Sequence, residues 1–222
     1  MGISQSIQRL SLMYFSARAV RRPDELKNIL RLAELLFSSG HLRVLKQHCQ
    51  LKRPEMFVAR PRFSPNLERL ATLPLGTVGR DYFDFLKRYR IDPKDLQMPS
   101  RSYDPDELYL FQYFYETHDL FHLLTGFDTT IAGELGLQAF YLGQAPTPLA
   151  PLLVSIGTLR EFWINPLKAE SLLKTVFGGY ALGTKATPLF GVDWEAELER
   201  PTTTIRMRYG LLINEIGSDL AA

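Results

Sequence analysis

The chain has 222 residues, of which 45% are apolar and 12% aromatic; this suffices for a hydrophobic core and excludes a disordered polymer. Its 26 lysines and arginines nearly balance 24 acids, and no RNA- or DNA-binding motif accompanies them, so no nucleic-acid partner is expected. The one cysteine, Cys49, excludes an internal disulfide framework and points to a reducing compartment.

In chain order, residues 1–23 carry Arg9, Arg18, Arg21 and Arg22 before any acid, with Ile3, Ile7, Leu10 and Tyr14 at helical spacing. They predict a basic amphipathic arm that packs on the domain, rests on an anionic membrane surface or serves as a short import sequence. No secretory signal is visible, and Met1-Gly2 with Ser6 fits only the loose myristoylation pattern. Leu26, Ile29, Leu30, Ala33, Leu36 and Phe37 predict a helix within 24–51, bent or broken at Gly40. Pro54, Pro61, Pro65 and Pro74 predict an irregular connection with a short helix over 53–75. Thr77 is placed to cap a helix that begins near Gly79.

Asp104 is the expected N-cap of the next helix, with Pro105 at its first position and Asp106 and Glu107 complementing its positive end. Residues 108–124 are apolar around nearly the whole circumference, which predicts a helix buried on most sides. Thr125-Gly126-Phe127 is the expected turn, and Asp128 the expected cap of a second helix to about Leu142. Residues 135–159 hold no charge, but Pro146, Pro148 and Pro151 interrupt them. They predict two buried helices joined by a proline-rich turn, not a membrane span. Further helices are expected over 159–174, broken at Pro166, from Asp193-Trp194-Glu195, and after Pro201. The fold class is all-α, one globular domain over 1–222.

His118-Asp119-Leu120-Phe121-His122, followed after eleven residues by Glu134, concentrates four metal-binding side chains. At 100° per residue, positions 118, 119 and 122 lie within a helical arc of about 100°. A short antiparallel turn returns Glu134 to the same place. Two imidazoles and two carboxylates form a donor set for a divalent metal. Zinc is the first expectation, with iron, manganese or magnesium open. The alternative is a buried polar cluster in which the acids hydrogen-bond the imidazoles. Gly133 and Gly136 permit close approach of a backbone or ligand.

This motif, HDLFHLLTGFDTTIAGE, resembles the signature of the Coq-four family of ubiquinone (coenzyme Q) biosynthesis. The similarity extends to Leu73-Pro74-x-Gly76-Thr77-x-Gly79-x-x-Tyr82 and, more weakly, to Trp194-Glu195 and 198–211, covering a core of about 70–212. The resemblance implies an all-α fold and a metal held by His118, Asp119, His122 and Glu134, which are also the expected catalytic residues. It implies an apolar cavity for a polyprenyl chain, to which Tyr113, Phe114, Phe121, Phe127 and Phe140 are assigned, core packing being the alternative for each. The implied partners are a polyprenyl lipid or quinone precursor, other quinone-biosynthesis enzymes and a membrane surface; a homodimer is open. Family members tend to carry basic residues before the motif, where this chain has Tyr113-Phe114-Tyr115. No long presequence is seen, which favours a peripheral protein on the cytoplasmic face of a bacterial membrane. A eukaryotic member would lie on the matrix side of the mitochondrial inner membrane.

The implied activity is decarboxylation at C1 of a polyprenylated hydroxybenzoate, with oxidation at that carbon in one version. Two rivals remain open. One is a lipid-binding organiser that presents prenyl precursors to partner enzymes. The other is a His-Asp phosphohydrolase, which needs an upstream histidine, the nearest being His48. Arg80, Lys185, Arg206 and Arg208 are candidate contacts for an anionic head group, with a solvated face as the alternative.

Overall fold

The computed structural model describes residues 42–93, 104–147 and 149–211, and all regular structure among them is helical. One isolated bridge, Thr77 to Pro201, is the sole extended pairing among these residues. The basic arm over 1–23, the Gly40 bend and His41 lie outside the described residues.

Helix α1 (Leu42–Lys52) is the described part of the helix expected within 24–51. The proline-rich connection holds two short helices, α2 (Met56–Ala59) and α3 (Leu67–Ala71), rather than one. Helix α4 (Val78–Tyr89) begins where the Thr77 hydroxyl accepts the Arg80 N–H, as its sequence predicts. Helix α5 (Pro105–Thr125) starts at Asp104, whose carboxylate accepts the N–H groups of Asp106 and Glu107 and holds Lys46 Nζ at 2.8 Å. It stops at Gly126, whose φ of +80° a Cβ-bearing residue adopts only with strain.

Helix α6 (Ile131–Gln144) differs from expectation at its start. Thr130 is the cap, its hydroxyl accepting the Gly133 N–H, while Asp128 accepts from the Thr130 N–H and hydroxyl. A threonine two residues downstream outcompetes Asp128 because the aspartate is already tied into the turn. Glu134 therefore falls in the first turn of α6, where the positive helix end favours a carboxylate.

Helix α7 (Leu149–Ile164) follows the proline-rich turn, but it is not buried as expected. Only Ala150 is fully enclosed; Trp163 is 88% exposed, and Leu159 and Ile164 are also open. A helix apolar on every side gives no face to orient it by pattern alone. A 3₁₀ turn (Pro166–Lys168) marks the predicted break, and α8 (Ala169–Lys185) continues beyond it. Glu195–Glu197 forms only a 3₁₀ turn, with the Trp194 ring driven into the core, and α9 (Thr202–Tyr209) closes the described chain. No described helix is long and apolar enough to cross a membrane.

The core is aromatic-rich. Phe121 and Trp194 meet edge to face at 5.8 Å, and Tyr113, Phe140, Leu110 and Leu120 are fully enclosed around them. Each such side chain contributes roughly 1.5–3 kcal/mol by leaving water. Of the five aromatics assigned to a lipid cavity, Tyr113, Phe121, Phe127 and Phe140 are buried in this core, and Phe114 packs half-buried against it. The Tyr113 hydroxyl lies 3.1 and 3.0 Å from the carbonyls of Leu189 and Val192, which ties α5 to the segment after α8.

Two further ties fix α5. Glu116 pairs with Arg62 and accepts the Phe63 N–H at 3.0 Å. Arg206 of α9 donates to the carbonyls of Leu124 and Leu123 at 3.1 and 2.7 Å, capping the end of α5. Arg206 is thus committed to backbone and not free for a head group. Arg80 is likewise held by Asp84 and the Ala71 carbonyl, and Arg208 by Glu197.

Helices α6 and α8 pack backbone to backbone, through Gly136 and Gly143 on one and Gly179 and Gly183 on the other. A Cβ on Gly183 would run into the Phe140 carbonyl oxygen. Gln144 closes the end of this pair, donating to the Gly183 and Ala186 carbonyls and accepting the Leu189 N–H. Gly183→Ala is expected to lower unfolding stability by about 1–3 kcal/mol, because backbone cannot yield as a side chain can. Chemical denaturation checks this; an unchanged midpoint contradicts the packing described.

Candidate metal centre

Across the turn at Gly126–Thr130, α6 meets α5 so that Glu134 lies against His118 and His122 and Tyr141 against His118, and this places the motif. His118 and His122 are one turn apart on α5, so their rings project from one face, with centroids 4.8 Å apart and planes nearly perpendicular. Glu134, in the first turn of α6, faces both. Its Oε1 lies 3.1 Å from His122 Nε2, and its Oε2 lies 3.6 Å from His118 Nε2. Donor atoms of these three residues all fall within 4.8 Å of one another, so His118, His122 and Glu134 form a group that could hold a metal ion.

Each imidazole is also held from behind. His122 Nδ1 lies 3.0 Å from the Phe127 carbonyl oxygen, supplied by the turn between the helices. A carbonyl only accepts, so Nδ1 carries the hydrogen and a neutral ring presents a lone pair at Nε2. That Nε2 is buried and has no hydrogen-bond partner, although a carboxylate oxygen stands before it. Two electron pairs facing at 3.1 Å repel unless a cation, proton or metal, lies between them. Bonds of about 2.0–2.1 Å at a tetrahedral centre separate neighbouring donors by about 3.3 Å, and the two observed separations bracket that distance. The residues fit a divalent ion.

His118 Nδ1 lies 3.3 Å from the Tyr141 hydroxyl. The Phe85 ring of α4 stacks on His122 at 6.1 Å and walls the site on its third side. His122 is 1% exposed, whereas the side chains of His118 and Glu134 keep 32% and 40% of their surface open, which leaves an approach for a ligand.

The electrostatics follow from this enclosure. Burial lowers the basicity of His118, but the Glu134 carboxylate 3.6 Å away and the charge of Asp119 outweigh it and hold the imidazole above its ordinary value. For Glu134 burial alone would raise the carboxyl; His118 and His122, when protonated, more than reverse that and hold it well below the usual carboxylate range. Asp119 is half-buried beside them and does not join the compact three-residue group. It is nevertheless close enough that, after burial, its charge pushes the Tyr82 phenol well up. Burial and the charges of Glu134 and Asp119 do the same to Tyr141.

The other expected residues lie elsewhere. His48 lines a separate cleft of about 340 Å³ with Cys49, Lys52, Gln144 and Phe190, so it does not supply the upstream ligand a phosphohydrolase needs. Burial pushes the Cys49 thiol up to about 12, which makes it a packing residue. Sequence reading gives Tyr141 only as one of the aromatics around the site, not its place behind His118, and it does not give Phe85 its place against His122. Tyr141 follows Glu134 by seven residues on one helical face, which is the one signal that could have found it.

Residues 4–214 match the family model described as coenzyme Q (ubiquinone) biosynthesis protein Coq4. The mitochondrial ubiquinone biosynthesis protein COQ4 of Candida dubliniensis is 30% identical over 205 residues, covering 88% of this chain and 62% of that protein. The corresponding Schizosaccharomyces japonicus protein is 34% identical over 151 residues, covering 67% and 61%. The chain thus spans less than two thirds of the length of these relatives. A crystal structure from Nostoc punctiforme PCC 73102, provisionally assigned to ubiquinone biosynthesis, superposes with a TM-score of 0.80 at 27% identity, covering 92% of this chain and 96% of that one. With its family match running through the His-Asp-x-x-His-x11-Glu segment, the chain belongs to the Coq4 family.

Proposed function

We propose that the chain serves ubiquinone biosynthesis as a metal-dependent decarboxylase acting at C1 of a polyprenylated hydroxybenzoate. The observation that carries this reading is the convergence of two imidazole Nε2 atoms on the two oxygens of Glu134, in a chain of this family. His118, His122 and Glu134 would hold the ion, with Asp119 as a fourth donor or an orienting charge. Zinc suits two nitrogens and carboxylates in a site with an open side; iron and manganese suit the same donors. When bound, the ion supplies Lewis-acid polarisation of a substrate carboxylate or phenolic oxygen.

The chain's own residues contribute the rest. Phe127 fixes the His122 ring, Phe85 and the aromatic core exclude water from one side, and the open faces of His118 and Glu134 admit the aromatic ring. Breaking the C1–carboxylate bond releases carbon dioxide and leaves an electron pair at C1. A proton takes that pair in simple decarboxylation; in the oxidative form dioxygen takes up the two electrons and leaves as hydrogen peroxide, while water supplies the hydroxyl that replaces the carboxylate. At roughly 0.8 kcal/mol per buried CH₂, a prenyl tail would supply most of the binding.

A second reading, a non-catalytic organiser that binds prenyl lipid at a membrane surface, is favoured by one observation. Leu159, Trp163, Ile164 and fully exposed Leu167 form an apolar edge where α7 meets its 3₁₀ turn. Such an edge suits a bilayer interface or partner enzymes.

Glu134→Ala is expected to keep the helical fold, abolish turnover of a defined prenylated hydroxybenzoate and weaken metal retention by at least tenfold. Full activity in the purified variant contradicts the proposal. Turnover by highly purified wild type separates the enzyme from the organiser.

A pH dependence follows from the paired shifts in the metal-free protein. His118, raised above 6.5, contributes stability fully below that value and loses it as pH rises through the raised value. Glu134, lowered from 4.5, contributes fully above that value and loses it as pH falls through the depressed one. Chelator-stripped wild type should therefore exceed Glu134→Gln in Tm most between about pH 4.5 and 6.5, with the gap narrowing above. A gap that widens between pH 6.5 and 8 contradicts the ion pair.

A further inference from the structure

The two histidines are held by chemically different partners, and the difference has consequences for the site. His122 Nδ1 faces the Phe127 carbonyl, which never donates, so the His122 tautomer is the same whatever occupies Nε2. His118 Nδ1 faces the Tyr141 hydroxyl at 3.3 Å, and a hydroxyl both donates and accepts. We propose that Tyr141 is a positioning residue for His118: its hydroxyl accepts the Nδ1 hydrogen when Nε2 is given to a cation, and donates to Nδ1 when Nε2 carries a hydrogen towards Glu134. The assignment rests on the metal reading above.

The surroundings of Tyr141 match this role. It lies two turns beyond Glu134 on the same face of α6, with an angular offset of about 20°, so one helix surface carries both a ligand and the hydroxyl behind its partner ligand. Its ring is packed among Phe114, Phe121, Phe140 and Phe190, with centroids 5.7–6.3 Å away. The ring therefore has no freedom to swing away, and the hydroxyl is presented to His118 by packing alone. On the opposite side the His118 Nε2 meets Glu134. His118 is thus held at both nitrogens, once by a group that can reverse its hydrogen bond and once by a carboxylate that cannot. One ligand is preset and the other adapts, which lets His118 keep its hydrogen bond at Nδ1 both before and after a cation enters.

The test compares full-length wild type, Tyr141→Phe and Tyr109→Phe, each stripped with chelator and titrated with Zn²⁺ and with Co²⁺ against a competing chelator. Tyr109 is a buried tyrosine of α5 whose hydroxyl reaches the Pro61 carbonyl, so it controls for the loss of any buried hydroxyl. Tyr141→Phe is expected to keep its Tm within a few degrees and to lose about 10–100-fold in metal affinity. Tyr109→Phe is expected to bind as wild type. Equal affinity in wild type and Tyr141→Phe overturns the assignment while leaving the metal reading intact. Absence of binding by wild type overturns both. Should Tyr141→Phe fail to fold, long-range ¹H–¹⁵N spectra of wild type without and with metal decide: a hydrogen that moves from His118 Nε2 to Nδ1 on loading supports the proposal, and one that stays on Nδ1 in both states overturns it.

Discussion

One backbone carbonyl organises this site. Phe127 closes the turn between α5 and α6, and its oxygen takes the hydrogen of His122 Nδ1 at 3.0 Å. With Nδ1 so engaged, the neutral His122 ring presents Nε2 as an acceptor, buried and aimed at a carboxylate. An acceptor facing an acceptor at 3.1 Å repels it, and a cation, proton or metal, between them removes the repulsion. The centre is thus a consequence of how the turn is built, more than of which residues happen to be nearby.

The rest of the fold serves to keep that turn still. Gly126 lets α5 end abruptly, Thr130 rather than Asp128 opens α6, and the resulting short connection sets Glu134 in the first helical turn. Arg206 reaches across from α9 to hold the last carbonyls of α5, one step before the turn. Behind α6, glycine contacts lock it to α8, so the helix that carries Glu134 and Tyr141 cannot drift. Packing, capping and ligand geometry are therefore one construction, from Gly183 through Tyr141 to His118.

Much of this was legible in the residues, for identifiable reasons. The caps at Thr77 and Asp104 act locally, within three positions of the groups they satisfy, so sequence alone exposes them. The histidine pair is legible because helical period is fixed. Asp128 misled because aspartate caps turns and helices equally well, and only the hydrogen-bond pattern shows which it does here. Arg206 and Phe85 act across distances of many residues, and nothing in their local context announces a tertiary partner, while Tyr141 offers only its seven-residue spacing from Glu134. Helix α7 was misread as buried because a helix apolar all round looks the same in a core and on an unpartnered edge. The five aromatics assigned to a lipid cavity show the same ambiguity, since most of them pack into the core.

The central claim, that two imidazoles and a carboxylate bind one divalent ion through Nε2 and oxygen, is most directly tested by X-ray absorption at the metal edge of the loaded protein. It should show one ion per chain with two imidazole rings, and oxygen donors, at about 2.0–2.1 Å. A spectrum without imidazole scattering, or an ion bound only by oxygen, would contradict the account.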